Sequence, residues 1–256
     1  MARFTGSRPA RKMDWDMLKK KLEVHLLNTV GSRLPDEQMN EIDSEIDTIF
    51  DKVYAHPDKM TTLVKDGYDG RLSNLWISVV ANEDFIPELK LFLDSVEIKP
   101  TFNVASLASG LSVYELFLAK EFFPEGEMTC IDASIEMNKI ANQFINKTNR
   151  ENMKTVISSA TNLPLGNETQ DLVLARRTGL SNDENWNVVL DESYRVLKKH
   201  DDSRLIITVD KVFNKSNEDV KSDLNKSNFE LVEIKDFERR VNEPIVSMII
   251  AKPIKR

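Results

Sequence analysis

Apolar positions along this 256-residue chain keep two different periods, and the change between them divides it. From Trp15 the apolar residues recur every three or four positions, with Trp15, Leu18, Leu22 and Leu26 forming a stripe that reaches Thr29 and stops at Gly31. That spacing predicts an amphipathic helix with a glycine just past its end. Ile42, Ile46, Ile49, Phe50 and Val53 repeat the pattern after Asp36, until Pro57 stops it. A turn is predicted at DGYDG (66–70), then two more helices over 72–80 and 87–96. Beyond Pro100 short β-rich runs take over: FNVASL, MTCID, KTVIS, DLVLAR and RLIITVD, each followed by a helical stripe or a loop. Such alternation predicts a parallel sheet with helices on both faces. The last runs, FELVEIKDFE and PIVSMIIAKP, have only the VNEP turn between them and must pair as an antiparallel hairpin.

The expected fold is therefore α/β, a doubly wound, mostly parallel seven-stranded sheet with a C-terminal antiparallel hairpin. The expected organisation is a flexible basic tail (1–12), a helical cap subdomain (13–97) and an α/β domain (98–256).

Composition narrows the chemistry. With 30% charged and 41% apolar residues, the chain reads as a soluble globular protein. No apolar run is long enough to span a bilayer, and no apolar h-region follows Met1, so a cytoplasmic location is expected. The single cysteine, Cys130, excludes an intrachain disulfide framework. His25, His56 and His200 are scattered without metal-ligand spacing, and no metal is expected. A net charge of −7 argues against a nucleic-acid-coating protein, although residues 1–22 carry seven basic against two acidic side chains. That arm leaves an RNA or protein acceptor open beside a small-molecule substrate, the first expectation. Oligomeric state is not legible.

Candidate chemistry concentrates in residues 102–141, which read as strand, small-residue turn, helix, strand and acid. A helix that starts straight after a tight turn offers free N–H groups to an anionic ligand. Asp132 follows Gly110 by 22 positions, the distance at which an acid can take the hydroxyls of a ribose.

At this point residues 100–253 resemble the class I S-adenosylmethionine-dependent methyltransferases of the type 11 kind, a Rossmann-like family. NVASLASGLS stands where the family writes a strand, an acid and a glycine-rich turn. MTCIDASIEMNKIA matches the second strand with its acidic end and the next helix. SSATNLPLGNETQDLVLAR and LDESYRVLKKHDDSRLIIT match the third and fourth blocks in order. The resemblance implies S-adenosylmethionine as cofactor, bound by Ser106, Ala108, Ser109, Gly110, Glu115, Asp132, Ala133, Ser159, Ala160 and Thr161. It implies methyl transfer to an acceptor the sequence does not identify. Arg176 and Arg177, at the reacting edge after the fourth strand, are the catalytic candidates, for clamping an anionic substrate.

Three family positions are altered. The acid of the first block is Ser106, its outer glycines are Ala108 and Ser112, and the adenine-binding acid is Ser159. Ser112 is expected at negative φ as the N-cap of the following helix. Glu115 or Tyr114, on the first turn of that helix, is expected to compensate in part for the lost acids. A non-catalytic binding or scaffold protein with weak cofactor binding is the alternative these serines support. A nicotinamide oxidoreductase is disfavoured, because no G-x-G-x-x-G is present.

Overall fold

The computed structural model describes residues 14–54, 72–176, 185–210, 217–237 and 246–255. Pro57, the DGYDG and VNEP turns, Arg177 and residues 178–184 lie outside them, as does the arm up to residue 13.

Four helices come first: α1 (Trp15–Thr29), α2 (Asp36–Tyr54), α3 (Leu72–Asn82) and α4 (Ile86–Ser95). The sheet region then runs β1 (Val104–Leu107), α5 (Val113–Glu121), β2 (Met128–Asp132), α6 (Ile135–Thr148), β3 (Met153–Ile157), β4 (Leu172–Arg176), α7 (Trp186–Val196), β5 (Arg204–Asp210), α8 (Asn217–Lys226), β6 (Phe229–Phe237) and β7 (Val246–Pro253). Strand order is β3-β2-β1-β4-β5-β7-β6. The first five strands are parallel, and β7 runs antiparallel between β5 and β6. The mostly parallel seven-stranded sheet and its closing hairpin are as the sequence predicts.

Side chains alternate across the strands, as a period of two demands. Val104, Leu172, Leu174, Ile206, Met248 and Ile250 face one hydrophobic cluster, while Ala105, Leu107, Val173, Ala175, Leu205, Ile207, Ile249 and Ala251 face a second. Leu18, Leu22 and Leu26 of α1, Leu89 and Phe92 of α4, and the buried face of α5 complete the first layer. Trp186, Val189 and Leu190 of α7 and Val220 and Leu224 of α8 complete the second. Helices α1, α3 and α4 thus share a core with the sheet. His25 fastens α1 to α5, its Nε2 lying 2.9 Å from the Val113 carbonyl oxygen.

Local signals set the ends of these elements. Asp14 caps α1 by accepting from the Met17 N–H at 3.0 Å, and Ser134 caps α6 by accepting from Met137 at 3.1 Å. Gly126 lets the turn before β2 pass under Phe102, whose carbonyl oxygen would lie 1.9 Å from any Cβ there. Among the described residues no helix is long and apolar enough to cross a membrane.

Candidate functional site

The turn between β1 and α5 departs most from ordinary backbone. Ala108, Gly110 and Ser112 all adopt left-handed φ, at 49°, 52° and 55°. These are the three positions that the resemblance aligns with glycines, and all three take a backbone conformation that favours glycine although only one is glycine. Each non-glycine residue there costs roughly 1–2 kcal/mol. Hydrogen bonds hold the turn against that strain. The Ser109 N–H donates to Ile131 O (3.2 Å), the Ser112 N–H to Ser109 O (2.9 Å), and the Gly110 N–H to Asp132 Oδ2 (2.8 Å). Ser112 does stand at the N-cap of α5, but its positive φ contradicts the expected negative one, and its hydroxyl makes no capping bond. That hydroxyl donates instead to Ser109 Oγ at 3.2 Å.

Asp132 ties two helix entries together. Oδ2 accepts from Gly110 at the start of α5, and Oδ1 accepts from the Ser134 N–H (2.9 Å) at the start of α6. Its own carbonyl accepts from Ser158 N at 3.0 Å, which brings the end of β3 alongside. There Ser159 forms a local turn, its Oγ 2.8 Å from Thr161 Oγ1 and accepting from the Thr161 N–H at 3.2 Å. Ala133, between Asp132 and Ser134, is half-buried, as is Ala160, which packs on the second cluster beside buried Leu163. Ala108, Ser109, Gly110, Asp132, Ala133 and Ser159 to Thr161 therefore lie along one edge, at the carboxyl ends of β1, β2 and β3. Open parallel sheets bind their ligands at such an edge. A Cβ added at Gly110 would meet nothing within 4 Å, so φ, not crowding, requires the glycine, and the space over the turn is open.

A cluster of buried charge lies beside this turn. Ser106, fully buried on β1, donates from Oγ to Glu115 Oε1 at 3.0 Å. Arg176 at the end of β4 reaches the same Oε1 through Nη1 at 3.3 Å. Its Nε and Nη2 grip both oxygens of Glu88, on α4, at 2.6 and 2.8 Å. Glu88 and Glu115 are each 2% exposed. Burial works against the Arg176 charge, but Glu88 and then Glu115 outweigh it and raise its pKa well above the ordinary guanidinium value. The cluster sets two carboxyl groups against one guanidinium. Tyr114 closes it, its ring centroid 3.7 Å from the Arg176 guanidinium carbon and its face stacked on Phe85 at 5.3 Å. Burial, and next Glu88, pushes the Tyr114 phenol well above its usual pKa. Its buried Oη has no hydrogen-bond partner among the described residues.

Of the catalytic candidates, Arg176 directs its donors at Glu88 and Glu115, and Arg177 lies outside the described residues. Sequence reasoning passed over Glu88, although a signal was present. Phe85, Leu89, Phe92 and Val96 form the buried stripe of α4, and Glu88 stands within that stripe. An acid at such a position needs a buried partner.

Comparison with known proteins agrees with this geometry. A methyltransferase-domain family model matches residues 104–200. The matched segment runs from β1 through α7 into the turn before β5. Demethylmenaquinone methyltransferase of Listeria welshimeri is 27% identical over 121 residues, covering 47% of this chain and 51% of that protein. The chain thus spans about half the length of the curated relatives it matches. Among solved structures, a SAM-dependent methyltransferase from Aquifex aeolicus aligns with a TM-score of 0.56 at 20% identity, covering 64% of this chain and 89% of that one. Geranyl diphosphate C-methyltransferase from Streptomyces coelicolor, complexed with S-adenosyl-L-homocysteine, aligns at 0.55 and 9% identity, covering 65% and 78%. The seven-stranded sheet described here therefore has the methyltransferase Rossmann-like fold.

Proposed function

We propose that the protein is an S-adenosylmethionine-dependent methyltransferase acting on a small-molecule acceptor. The observation that carries the reading is the Asp132 carboxylate, which pins the Gly110 turn at the carboxyl edge of the sheet. A ribose bound over this edge would lie within reach of that carboxylate, with the Ser159 to Thr161 turn on the β3 side. The charge of the site fits the same cofactor. S-adenosylmethionine supplies a methyl group on a cationic sulfur, open to attack by a nucleophilic atom of the acceptor. A buried cluster with two carboxyl groups to one guanidinium favours a cation of that kind. The same cluster disfavours a dinucleotide, whose pyrophosphate would meet two carboxylates and a turn with a single glycine. Much of the rate in such a transfer comes from alignment of donor and acceptor, so the chain needs no dedicated base. A small-molecule acceptor is supported by the relatives, whose names specify demethylmenaquinone and geranyl diphosphate as what those proteins act on.

Isothermal titration with S-adenosylmethionine and S-adenosylhomocysteine tests the reading, with Asp132→Ala as the control. Micromolar binding by the wild type, lost in the folded variant, is the expected result. An absence of heat and of thermal shift up to millimolar ligand would leave the scaffold alternative, which the serines at 106 and 159 favour.

A further inference from the structure

We infer that Glu115 supplies, from helix α5, the negative charge that β1 lacks at Ser106, and that Arg176, gripped by Glu88, is the positioning residue that holds it there. The inference rests on the methyl-donor reading above and names the residue that serves the cationic end of that donor.

Replacing an acid by serine does more than delete a charge. A carboxylate can only accept hydrogen bonds, whereas a serine hydroxyl also donates. Ser106 donates to Glu115 at 3.0 Å. Were residue 106 an ionised acid, Glu115 would face a like charge at hydrogen-bonding distance, and the two could not both ionise. Serine at 106 and glutamate at 115 are thus two halves of one arrangement, leaving a single carboxylate at the end of β1. Helix α5 supports this reading, because Val113 through Ala119 are all buried and Glu115 is the one acid among them. A charge placed there without a task would be a pure desolvation penalty.

Arg176 explains how the charge survives burial without being cancelled. Its bidentate grip goes to Glu88 at 2.6 and 2.8 Å, and Glu115 receives one longer contact of 3.3 Å. The guanidinium is therefore committed mainly to Glu88, and Glu115 keeps part of its field for a cation beside the turn. Low solvent exposure keeps that field weakly screened.

The test is calorimetric titration of S-adenosylmethionine and S-adenosylhomocysteine into four full-length proteins: wild type, Asp132→Ala, Glu115→Gln, and the swap Ser106→Asp with Glu115→Gln. Thermal melting without ligand accompanies each. Glutamine keeps the shape of Glu115 and removes its charge, so S-adenosylmethionine affinity should fall about tenfold or more. The sulfonium of S-adenosylmethionine carries one positive charge that S-adenosylhomocysteine lacks, so the loss should be smaller for the latter. A merely structural role would weaken both equally. The swap, which returns the carboxylate to β1, should recover affinity to within about threefold of wild type. Wild-type affinity in Glu115→Gln, with Asp132→Ala inactive in binding, would overturn the inference and leave the cofactor reading standing. So would a swap variant that melts like the wild type yet recovers nothing. Failure of the wild type to bind either ligand would instead overturn the cofactor reading itself.

Discussion

Strand β4 carries a charged cluster at each end, and the two differ in what they leave uncompensated. At the entry, Asp171 accepts from the Asn103 N–H (2.8 Å), from Lys198 Nζ (2.9 and 2.8 Å) and from His200 Nε2 (2.9 Å). Lys198 and His200 are 33% and 41% exposed, so either can turn to water. Burial raises the Asp171 pKa, but its hydrogen bonds together outweigh burial and hold it below the ordinary value. Ser203 lies near His200, at 3.2 and 3.4 Å from its two ring nitrogens, yet it is fully buried and almost equidistant from both. With Nε2 turned to Asp171, Nδ1 is the nitrogen that pairs with the Ser203 hydroxyl at 3.2 Å, and the group reads as a support for the β4–β5 edge. At the exit, Arg176 holds two carboxyl groups with almost no access to water and is the one basic group bonded to them among the described residues. The entry cluster is a compensated joint, whereas the exit cluster is a desolvated, polarised site. Roughly 16 Å separates them along the strand, about two Debye lengths at physiological salt.

Removing the central charge of the exit should do the most damage. Arg176→Met strands Glu88 and Glu115, and unpairing a buried ion pair costs about 3–5 kcal/mol. Urea unfolding should report a loss of that size, and adding Glu88→Leu should return part of it, because the largest unpaired charge is then gone too. A loss under about 1 kcal/mol would mean that the cluster behaves like a surface ion pair. At the entry, Asp171→Asn keeps the acceptor for Asn103 and frees two exposed cations to be hydrated. Its expected loss is smaller, about 1–3 kcal/mol. Affinity for S-adenosylmethionine should be unchanged in this variant. A drop in affinity there would break the distinction between the two ends.

Acid should separate the ends in a second way. His25, which ties α1 to the first residue of α5 at the exit, is buried, and burial lowers its pKa despite the Val113 hydrogen bond. Lys120 and Arg150 add to the lowering, and Glu121 opposes it. Above the unfolded imidazole pKa of about 6.5 the group has no effect on stability. Below it the unfolded chain binds a proton that the folded chain resists, so stability falls with pH until the lowered folded pKa is reached. For Asp171 the sign is opposite in origin. Its depressed pKa gives stability that is complete above the unfolded value of about 3.9 and is lost as pH falls through the lower folded value. The exit joint should therefore loosen in mild acid and the entry joint only in strong acid. His25→Gln, which can still donate to Val113, should remove at most about 1.4 kcal/mol per pH unit from the slope between pH 6.5 and 5. An unaltered slope in that variant would locate the mild-acid sensitivity elsewhere.

The same contrast explains what could be read from the sequence. The mostly parallel sheet followed from alternation, because parallel strands buried on both faces leave a strong apolar signal, and the hairpin followed from the short turn before the last strand. Asp132 and Gly110 were legible from their separation alone. The partners of Arg176 were not, since Glu88 is 88 positions away and no local period links a helix acid to a strand end. Its place in the buried stripe of α4 was legible, but its partner was not. Ser112 misled for a related reason. Serine is favoured at an N-cap when φ is extended, and the turn geometry set by Gly110, Asp132 and the β1–β2 register overrode that local preference.

The smallest expected effect probes that override directly. Ala108 is exposed, its φ of 49° is one that glycine adopts freely, and no side-chain bond depends on it. Ala108→Gly should relieve roughly 1–2 kcal/mol of backbone strain in the folded state. It also adds freedom to the unfolded chain, which takes back about 0.4–1 kcal/mol. The net gain should be about 0.5–1 kcal/mol, visible as a modest rise in melting temperature. Ser112→Gly should gain less, because it also loses the contact to Ser109 Oγ at 3.2 Å. If the strain serves only to hold the turn open, cofactor affinity in Ala108→Gly should stay level. An increase in both stability and affinity would mean that alanine at this position handicaps a site that otherwise keeps the family's geometry. A loss of stability would mean that the left-handed turn is already relaxed, and that the tie from Asp132 to Gly110, not glycine content, sets its shape.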